Sequence, residues 1–120
     1  MRNLEQIRAR NALNFAKQGT VPGENGGEVI KKVGPLIQNH GLLATAAYSF
    51  TEKGGWQRVF DAIAQHLADE DIAIVSSDVN DRQALMEFLT QTGTTSETLK
   101  LATAETMAWL IYACRFVKKA

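Results

Sequence analysis

The sequence predicts an all-α domain, a compact bundle of about six helices with a buried C-terminal helix. Three observations predict it. Apolar residues recur at spacings of three and four through most of the chain, glycines separate these stretches, and the one short segment suited to a strand has no partner. A chain of 120 residues fits a single domain, residues 1–120, and such a domain buries roughly 65% of its unfolded surface.

The first helix is predicted over Leu4–Lys17, with Asn3 as its N-cap. Its apolar side chains share one broad arc of the helical wheel, and its polar and basic side chains share the opposite arc. Arg8 lies inside the apolar arc, so its charge needs a partner, either in a structural ion pair or at a subunit contact. Residues 18–27 contain four glycines and a proline, and they are predicted to be an irregular connection within the domain.

The second helix is predicted over residues 28–39, with a weak point at Pro35 and with Gly41 ending it in the left-handed conformation. The third follows at once, over residues 42–51. After two glycines, a fourth helix is predicted over Trp56–Ala68. Its apolar stripe is predicted to be core and comprises Trp56, Val59, Phe60, Ile63 and Leu67.

Residues 71–77 are predicted to form a loop or irregular turn, because their apolar residues have no strand to pair with. The fifth helix is predicted over residues 81–92, capped by Asp78 or Asn80. The last is predicted over residues 96–118. Its apolar side chains fall all round the wheel, which predicts a helix buried among its neighbours.

The residues that usually carry chemistry are few and scattered. His40 and His66 have no second ligand at metal-binding spacing, so no zinc site is predicted; His40 suits a turn, and His66 an exposed or partly packed position. Cys114 lies in the most apolar helix and is predicted to be an inert core thiol. Residues 78–81 begin like a calcium loop, but Arg82 breaks the pattern. The sequence predicts no enzyme, cofactor, metal or small-molecule substrate.

The chain is predicted to be cytoplasmic. A single cysteine excludes an internal disulfide, and residues 1–10 are too charged for a signal peptide. The longest apolar run, residues 107–114, is far shorter than the roughly 20 residues that span a bilayer. We therefore expect no membrane partner.

The net charge is zero, but the two halves of the chain differ in sign. Residues 1–60 hold eight basic against four acidic residues, a net of +4, and residues 61–120 hold five against nine, a net of −4. Folding either preserves this asymmetry or mixes the halves. The basic residues of the first half either form a face that binds the phosphates of a nucleic acid or are surface side chains in contact with solvent only. The candidate nucleic-acid-binding residues are Arg8, Arg10, Lys17, Lys31, Lys32, Lys53 and Arg58.

Two other classes of function stay open. A helix-turn-helix DNA-binding regulator could be drawn around Gly93, although the helix after it begins with Ser96 and Glu97 instead of basic side chains. A small enzyme would need a pocket with a perturbed histidine or aspartate.

Three blocks of sequence together suggest a family. They are Arg8-Ala9 with the alanines at 12 and 16, residues 35–43 with the alanines at 46 and 47, and residues 104–110 followed by Arg115-Phe116. With these blocks the chain resembles the small helical subunit of the type III-B CRISPR effector, the Cmr complex. It departs from the family in having His40 where asparagine is frequent and Gly34 where leucine is frequent.

The resemblance implies a non-catalytic subunit of an RNA-guided complex in antiviral defence. Several copies would stack as the minor filament along the guide–target duplex, and other subunits would perform cleavage. The implied partners are the other subunits of the complex, copies of the chain itself, the CRISPR RNA and the target single strand.

Overall fold

The computed structural model describes residues 3–18, 28–52 and 54–117. Within these ranges the chain forms five helices and no strand: α1 (Leu4–Lys17), α2 (Glu28–Ser49), α3 (Trp56–Ala68), α4 (Arg82–Thr90) and α5 (Ser96–Phe116). The predicted all-α class is confirmed. The predicted number of about six helices is one too high, because the second and third predicted helices form the single bent helix α2. Lys53 and the predicted connection at 19–27 lie outside the described residues.

The bend in α2 is at Gly41, whose backbone has φ 87° and ψ 166°. Only glycine adopts this combination readily, because a Cβ would meet the backbone carbonyls. The positive φ agrees with the sequence prediction, but the extended ψ differs from the left-handed helical value expected for a helix end. Thr45 Oγ1 donates a hydrogen bond of 2.8 Å to the Gly41 carbonyl, which secures the start of the second segment. The helix continues through Pro35, the predicted weak point.

The ends of α1 and α4 are fixed by side-chain caps. The Asn3 side chain accepts a 2.7 Å hydrogen bond from the Glu5 amide, which confirms the predicted N-cap of α1. The Asp81 side chain accepts from the Ala84 amide at 2.7 Å. Asp81 is therefore the cap of α4, and the predicted caps Asp78 and Asn80, together with the predicted helix end at residue 92, are wrong.

The connection from α3 to α4, residues 69–81, is irregular, as predicted. The amides of Ile74 and Val75 both donate to the Leu67 carbonyl, so they satisfy the end of α3 instead of pairing with a strand. Val75 and Val79 are buried, which holds this connection against the bundle.

The core lies where α5 packs against α1, α2 and α3. Trp109 of α5 is 1% exposed, and its ring centroid lies 5.6 Å from that of Phe15 on α1. The predicted core stripe of α3 is buried throughout. Burying one large apolar side chain contributes about 1.5–3 kcal/mol, so this stripe is a major part of the stabilising energy.

The far side of α5 is open to solvent. Leu101 is 58% exposed and Ile111 is 60% exposed. The prediction of a helix buried on every side is therefore wrong, because the described neighbours of α5 cover only one side of it. None of the described helices is both long enough and apolar enough to cross a membrane.

Candidate functional site

An ion pair joins α1 to α5 at the edge of the core. Arg8 Nε donates to Glu105 Oε2 and Arg8 Nη2 donates to Glu105 Oε1, both at 2.7 Å. The two side chains are 17% and 9% exposed. Two parallel hydrogen bonds between a guanidinium and a carboxylate fix both the distance between the two groups and their relative orientation. The predicted need of Arg8 for a partner is thus met by a structural ion pair.

Each partner of this pair shifts the pKa of the other. Burial alone would raise the pKa of Glu105, but the hydrogen bonds from Arg8 and His66 outweigh burial and hold that pKa below its ordinary value. The hydrogen bonds to Glu105 raise the pKa of Arg8. Both groups are therefore charged at neutral pH.

His66 on α3 extends the ion pair into a third helix. Its Nε2 lies 2.9 Å from Glu105 Oε2, and its Nδ1 lies 2.9 Å from Asn11 Nδ2. The residue is only 2% exposed, so the predicted exposed or partly packed position is wrong. The ring is buried because its two nitrogens have polar partners and its face lies over Trp109, with 6.0 Å between ring centroids.

The hydrogen bonds around His66 define its protonation. The Asn11 amide nitrogen can only donate, so His66 Nδ1 accepts from it and the ring proton lies on Nε2, which donates to Glu105. Burial lowers the pKa of His66, which agrees with a neutral ring. The same Asn11 amide donates to Asp69 Oδ2 at 3.1 Å, so both of its hydrogens are used.

Two more side chains extend the cluster to the surface. Glu5 Oε1 accepts from Arg8 Nη1 at 2.7 Å, and Glu5 Oε2 accepts from the Tyr112 hydroxyl on α5. The hydrogen bonds from Tyr112 and Arg8 lower the pKa of Glu5. We call the following residues the three-helix polar cluster: Glu5, Arg8, Asn11, His66, Asp69, Glu105 and Tyr112.

A polar cavity of about 440 Å³ opens beside this cluster, between α1 and α3. Arg58 forms part of its wall. Its guanidinium carbon lies 4.6 Å from the centre of the Phe15 ring, and its Nη2 donates to the Phe15 carbonyl at 2.8 Å. Among the described residues its buried Nη1 has no hydrogen-bond partner, and burial lowers the pKa of Arg58. This arginine is therefore used mainly in holding α3 against α1.

The chemistry available to the polar cluster is limited. Its histidine is closed off from solvent with both nitrogens engaged, and its Glu105 carboxylate is bonded by Arg8 and His66. Among the described residues, no group of three or more histidine, cysteine or acidic side chains could hold a metal ion. The arrangement is suited to fixing three helices in one geometry.

Comparison with known proteins gives one family. The sequence model described as CRISPR-associated protein (Cas_Cmr5) matches residues 4–120, almost the whole chain. The chain belongs to this family. Cmr5 proteins are the small subunits of type III-B CRISPR effector complexes, so its partners include the other subunits of such a complex. No curated protein and no solved structure gives a significant match to the chain.

The structure brings together two of the blocks that carried the resemblance to the Cmr5 subunit. Arg8 belongs to the first block and Glu105 to the last, and they form the ion pair between α1 and α5. The middle block contains Gly41, where α2 bends. In this Cmr5 chain the three blocks therefore correspond to positions that fix the relative placement of helices.

The predicted basic face is divided in the structure. Arg8 and Arg58 are occupied by contacts within the bundle. Arg10 and Lys17 are exposed and lie seven residues apart on α1, which places them on one face. Lys31 and Lys32 are exposed near the start of α2. Lys53 lies outside the described residues. Contact of any of these side chains with nucleic acid stays a prediction.

Folding mixes the two oppositely charged halves only in part. Arg8 of the basic half is neutralised by Glu105 of the acidic half. By contrast, Glu70, Asp71, Asp78 and Asp81 are exposed in or beside the connection between α3 and α4. The surface therefore keeps an acidic region, residues 69–81, in addition to its separate basic positions.

The helix-turn-helix alternative finds little support in the Cmr5 chain. Only the short stretch 91–95 separates α4 from α5, as such a motif requires. However, α4 packs against α2 and α3, with at most a slight contact to α5. The two helices of a DNA-binding helix-turn-helix must pack on each other to hold the recognition helix.

Sequence inspection missed most of the polar cluster, although two signals were present. His66 follows Ile63 by three residues, which puts it on the core side of α3. Glu105 is the one acidic residue within an otherwise apolar or small stretch of α5, three residues after Ala102 and four before Trp109. A buried carboxylate at that position is the natural partner of an arginine in the apolar arc of α1.

Proposed function

We propose that this chain is a non-catalytic scaffold subunit of the type III-B effector in antiviral defence in the cytoplasm. In this proposal several copies stack as the minor filament along the guide–target duplex, beside the other subunits, the CRISPR RNA and the target strand. The single observation that carries the proposal is the family match over residues 4–120.

The three-helix polar cluster supports a scaffold function. A general acid or base must reach its substrate, directly or through one water molecule. His66 is 2% exposed and both of its ring nitrogens are bonded to Asn11 and Glu105. Its environment favours a rigid junction over proton transfer.

The exposed basic side chains support weak contact with an RNA backbone by each copy. The positions proposed for this contact are Arg10 and Lys17, which are exposed on one face of α1. Single-strand binding loses about 0.7 log units of affinity per phosphate contact for each tenfold rise in salt, so a few contacts bind weakly at physiological salt. Copies fixed on one scaffold add their contacts at high effective concentration. Repetition therefore compensates for weak binding by each copy.

The distribution of charge supports stacking of copies head to tail. A filament requires a heterologous contact, in which two different surfaces of the chain meet. The acidic region 69–81 and the exposed basic positions of α1 and α2 are oppositely charged. In the proposed stack, the acidic region of one copy faces Lys32 on α2 of the next, and Arg10 and Lys17 on α1 face the RNA.

Purification of the tagged chain from its own cells tests the proposal. We expect the large subunits of the effector and CRISPR-derived RNA to accompany it, and native mass spectrometry to show more than one copy of the chain in each complex. Recovery of the chain without such RNA and subunits would refute the assignment. Recovery of a complex with one copy would refute the stacking alone.

RNA binding by the isolated chain gives a second test. We expect no tight binding, because the net charge is zero and two of the candidate arginines are engaged internally. Fluorescence anisotropy with a labelled single-stranded RNA at physiological salt measures this. A nanomolar dissociation constant would contradict the proposal that tight RNA binding requires several copies of the chain in one assembly.

A further inference from the structure

The solvent-facing side of α5 carries an ordered stripe of six residues. At 100° per residue, these positions fall within an arc of about 80° on the side opposite the core. Leu101 and Ile111 are among the most exposed large apolar residues of the described chain, at 58% and 60%. The stripe consists of Glu97, Leu101, Ala104, Ala108, Ile111 and Arg115.

The order of residues in the stripe is symmetric about residue 106. Reversing the direction of the helix exchanges the acidic Glu97 with the basic Arg115. It likewise exchanges Leu101 with Ile111. The two alanines at the centre, at positions 104 and 108, exchange with each other. Each position of the stripe thus has a complementary counterpart at the same distance on the other side of the centre.

This symmetry fits one occupant in particular, a second copy of α5 running antiparallel. Across a two-fold axis at residue 106, the alanines meet at the centre and allow close approach of the helices. Leu101 of each copy then lies opposite the partner's Ile111, and Glu97 lies opposite the partner's Arg115. A two-fold contact is self-complementary by definition, so every favourable pair occurs twice.

The charges at the ends of the stripe are available for such a contact. Within the described part of the chain, neither Glu97 nor Arg115 makes an ion pair, although Arg8, His66, Glu5 and Glu105 do. Glu97 and Arg115 are both exposed. Association would therefore add two ion pairs without breaking one inside the bundle.

We propose that the stripe on α5 is a two-fold, antiparallel self-association surface of this chain. The proposal does not depend on the function argued above. Head-to-tail stacking joins two different surfaces through the acidic region 69–81, whereas the α5 contact joins one surface to itself. A closed two-fold contact ends after two copies, so it cannot itself build the filament.

The size of the stripe sets the strength of the contact. From Glu97 to Arg115 it covers 18 steps of 1.5 Å, about 27 Å of helix. A single helix pair of this length buries less than a standard interface of about 1,600 Å². An apolar groove adjoining it, bordered by Leu43, Lys100 and Ala104, adds some area. The expected dimer is weak, with a micromolar dissociation constant.

Sedimentation velocity of the full chain over a range of concentrations tests the surface. We expect the wild type to shift reversibly from monomer to dimer and the Ile111→Glu variant to stay monomeric. The matched control is Leu13→Glu, which places the same charge at an apolar residue that is 40% exposed on α1. This control should dimerise like the wild type. A wild type that is monomeric throughout, or equal weakening of the dimer in both variants, would overturn the proposal.

Charge reversal tests the antiparallel register itself. Glu97→Arg alone places like charges opposite each other twice in the dimer, and we expect the dissociation constant to rise about fivefold or more. Arg115→Glu alone should act in the same way. The double variant Glu97→Arg with Arg115→Glu restores opposite charges and should bind like the wild type. If the double variant is as weak as the singles, the antiparallel register is wrong.

Discussion

Arg8 on α1 and Glu105 on α5 stand 97 positions apart in the sequence and are joined by two hydrogen bonds of 2.7 Å. The pair is at the meeting point of three helices, because His66 of α3 bonds to the same carboxylate. In this chain of the Cmr5 family, polar side chains from three helices thus meet at one buried carboxylate. This junction gives the first two predictions.

Replacement of Arg8 by methionine is expected to destabilise the chain by about 3 kcal/mol. The variant keeps much of the side-chain length but leaves Glu105 buried without its cation, and breaking a buried pair in this way is costly. Urea unfolding followed by circular dichroism measures the change in free energy. The matched control Arg10→Met, on an exposed arginine of the same helix, should change stability by less than about 0.5 kcal/mol. If the two variants were destabilised equally, the ion pair would contribute no more to the free energy of unfolding than an exposed arginine does.

Stability is expected to fall as pH drops below 6.5, the ordinary pKa of histidine. Burial lowers the pKa of His66 in the folded chain, so in this range the unfolded chain binds more protons and is favoured. The lowered pKa of Glu105 acts in the same direction at lower pH, below its ordinary value of 4.5. The slope from one histidine is at most about 1.4 kcal/mol per pH unit.

The contribution of His66 to this pH dependence is measured by comparing the wild type with the His66→Gln variant. The free energy of unfolding of each is determined at a series of pH values. Glutamine can still accept from Asn11 and donate to Glu105, but it does not titrate. We expect the slope of the variant to be smaller between pH 6.5 and about pH 5. An unchanged slope would show that His66 is not the titrating group.

Replacement of Gly41 by alanine is expected to cost about 1–3 kcal/mol. The cost comes from the local backbone alone, since φ is 87° and an added Cβ would meet nothing within 4 Å beyond Gly41 itself and its two chain neighbours. Gly93→Ala is the matched control, because its φ is not in the positive range and its surroundings are equally open. That variant should be neutral or slightly stabilising. Thermal unfolding of both variants checks the difference, and equal effects would contradict the assigned backbone strain.

Replacement of both Arg10 and Lys17 by glutamate is expected to weaken target RNA binding by the assembled complex. Each lost phosphate contact should reduce the slope of log affinity against log salt by about 0.7, so loss of both contacts should reduce it by about 1.4. Filter binding at several salt concentrations measures both the affinity and the slope. The control, Lys100→Glu, changes an exposed lysine on α5 away from the proposed RNA-binding residues. If the control lowers the slope as much as the double variant, the α1 face has no special part in RNA binding.

The helical fold could be predicted from the sequence because apolar periodicity and glycine positions are local signals. The bounds of α1 and α3 agree with the predictions, and Asn3 caps α1 as expected. The bend in α2 shows the limit of such signals. Gly41 predicts a positive φ, but a glycine alone does not show whether the chain after it starts a separate helix or continues as a bent one.

The three-helix polar cluster could be predicted only in part. The position of Arg8 in an apolar arc shows that a partner exists, yet periodicity within α1 holds no information on which residue of another helix that partner is. The spacing of His66 from Ile63 could predict that it lies on the core side of α3, but not which residues make its burial stable. A histidine is stable in a core only when its two nitrogens are satisfied, and its partners Asn11 and Glu105 come from helices distant in sequence.

The contact between α1 and α5 bears on how the chain folds during synthesis. The first and last helices of the described chain pack on each other more extensively than any other pair. At about 5–20 residues per second, a ribosome needs roughly 5–20 seconds to advance from Arg8 to Glu105. During that interval Ile7, Ala12 and Phe15 have no α5 to cover them. In the nascent chain, this apolar face of α1 therefore lacks its main cover until α5 has been synthesised.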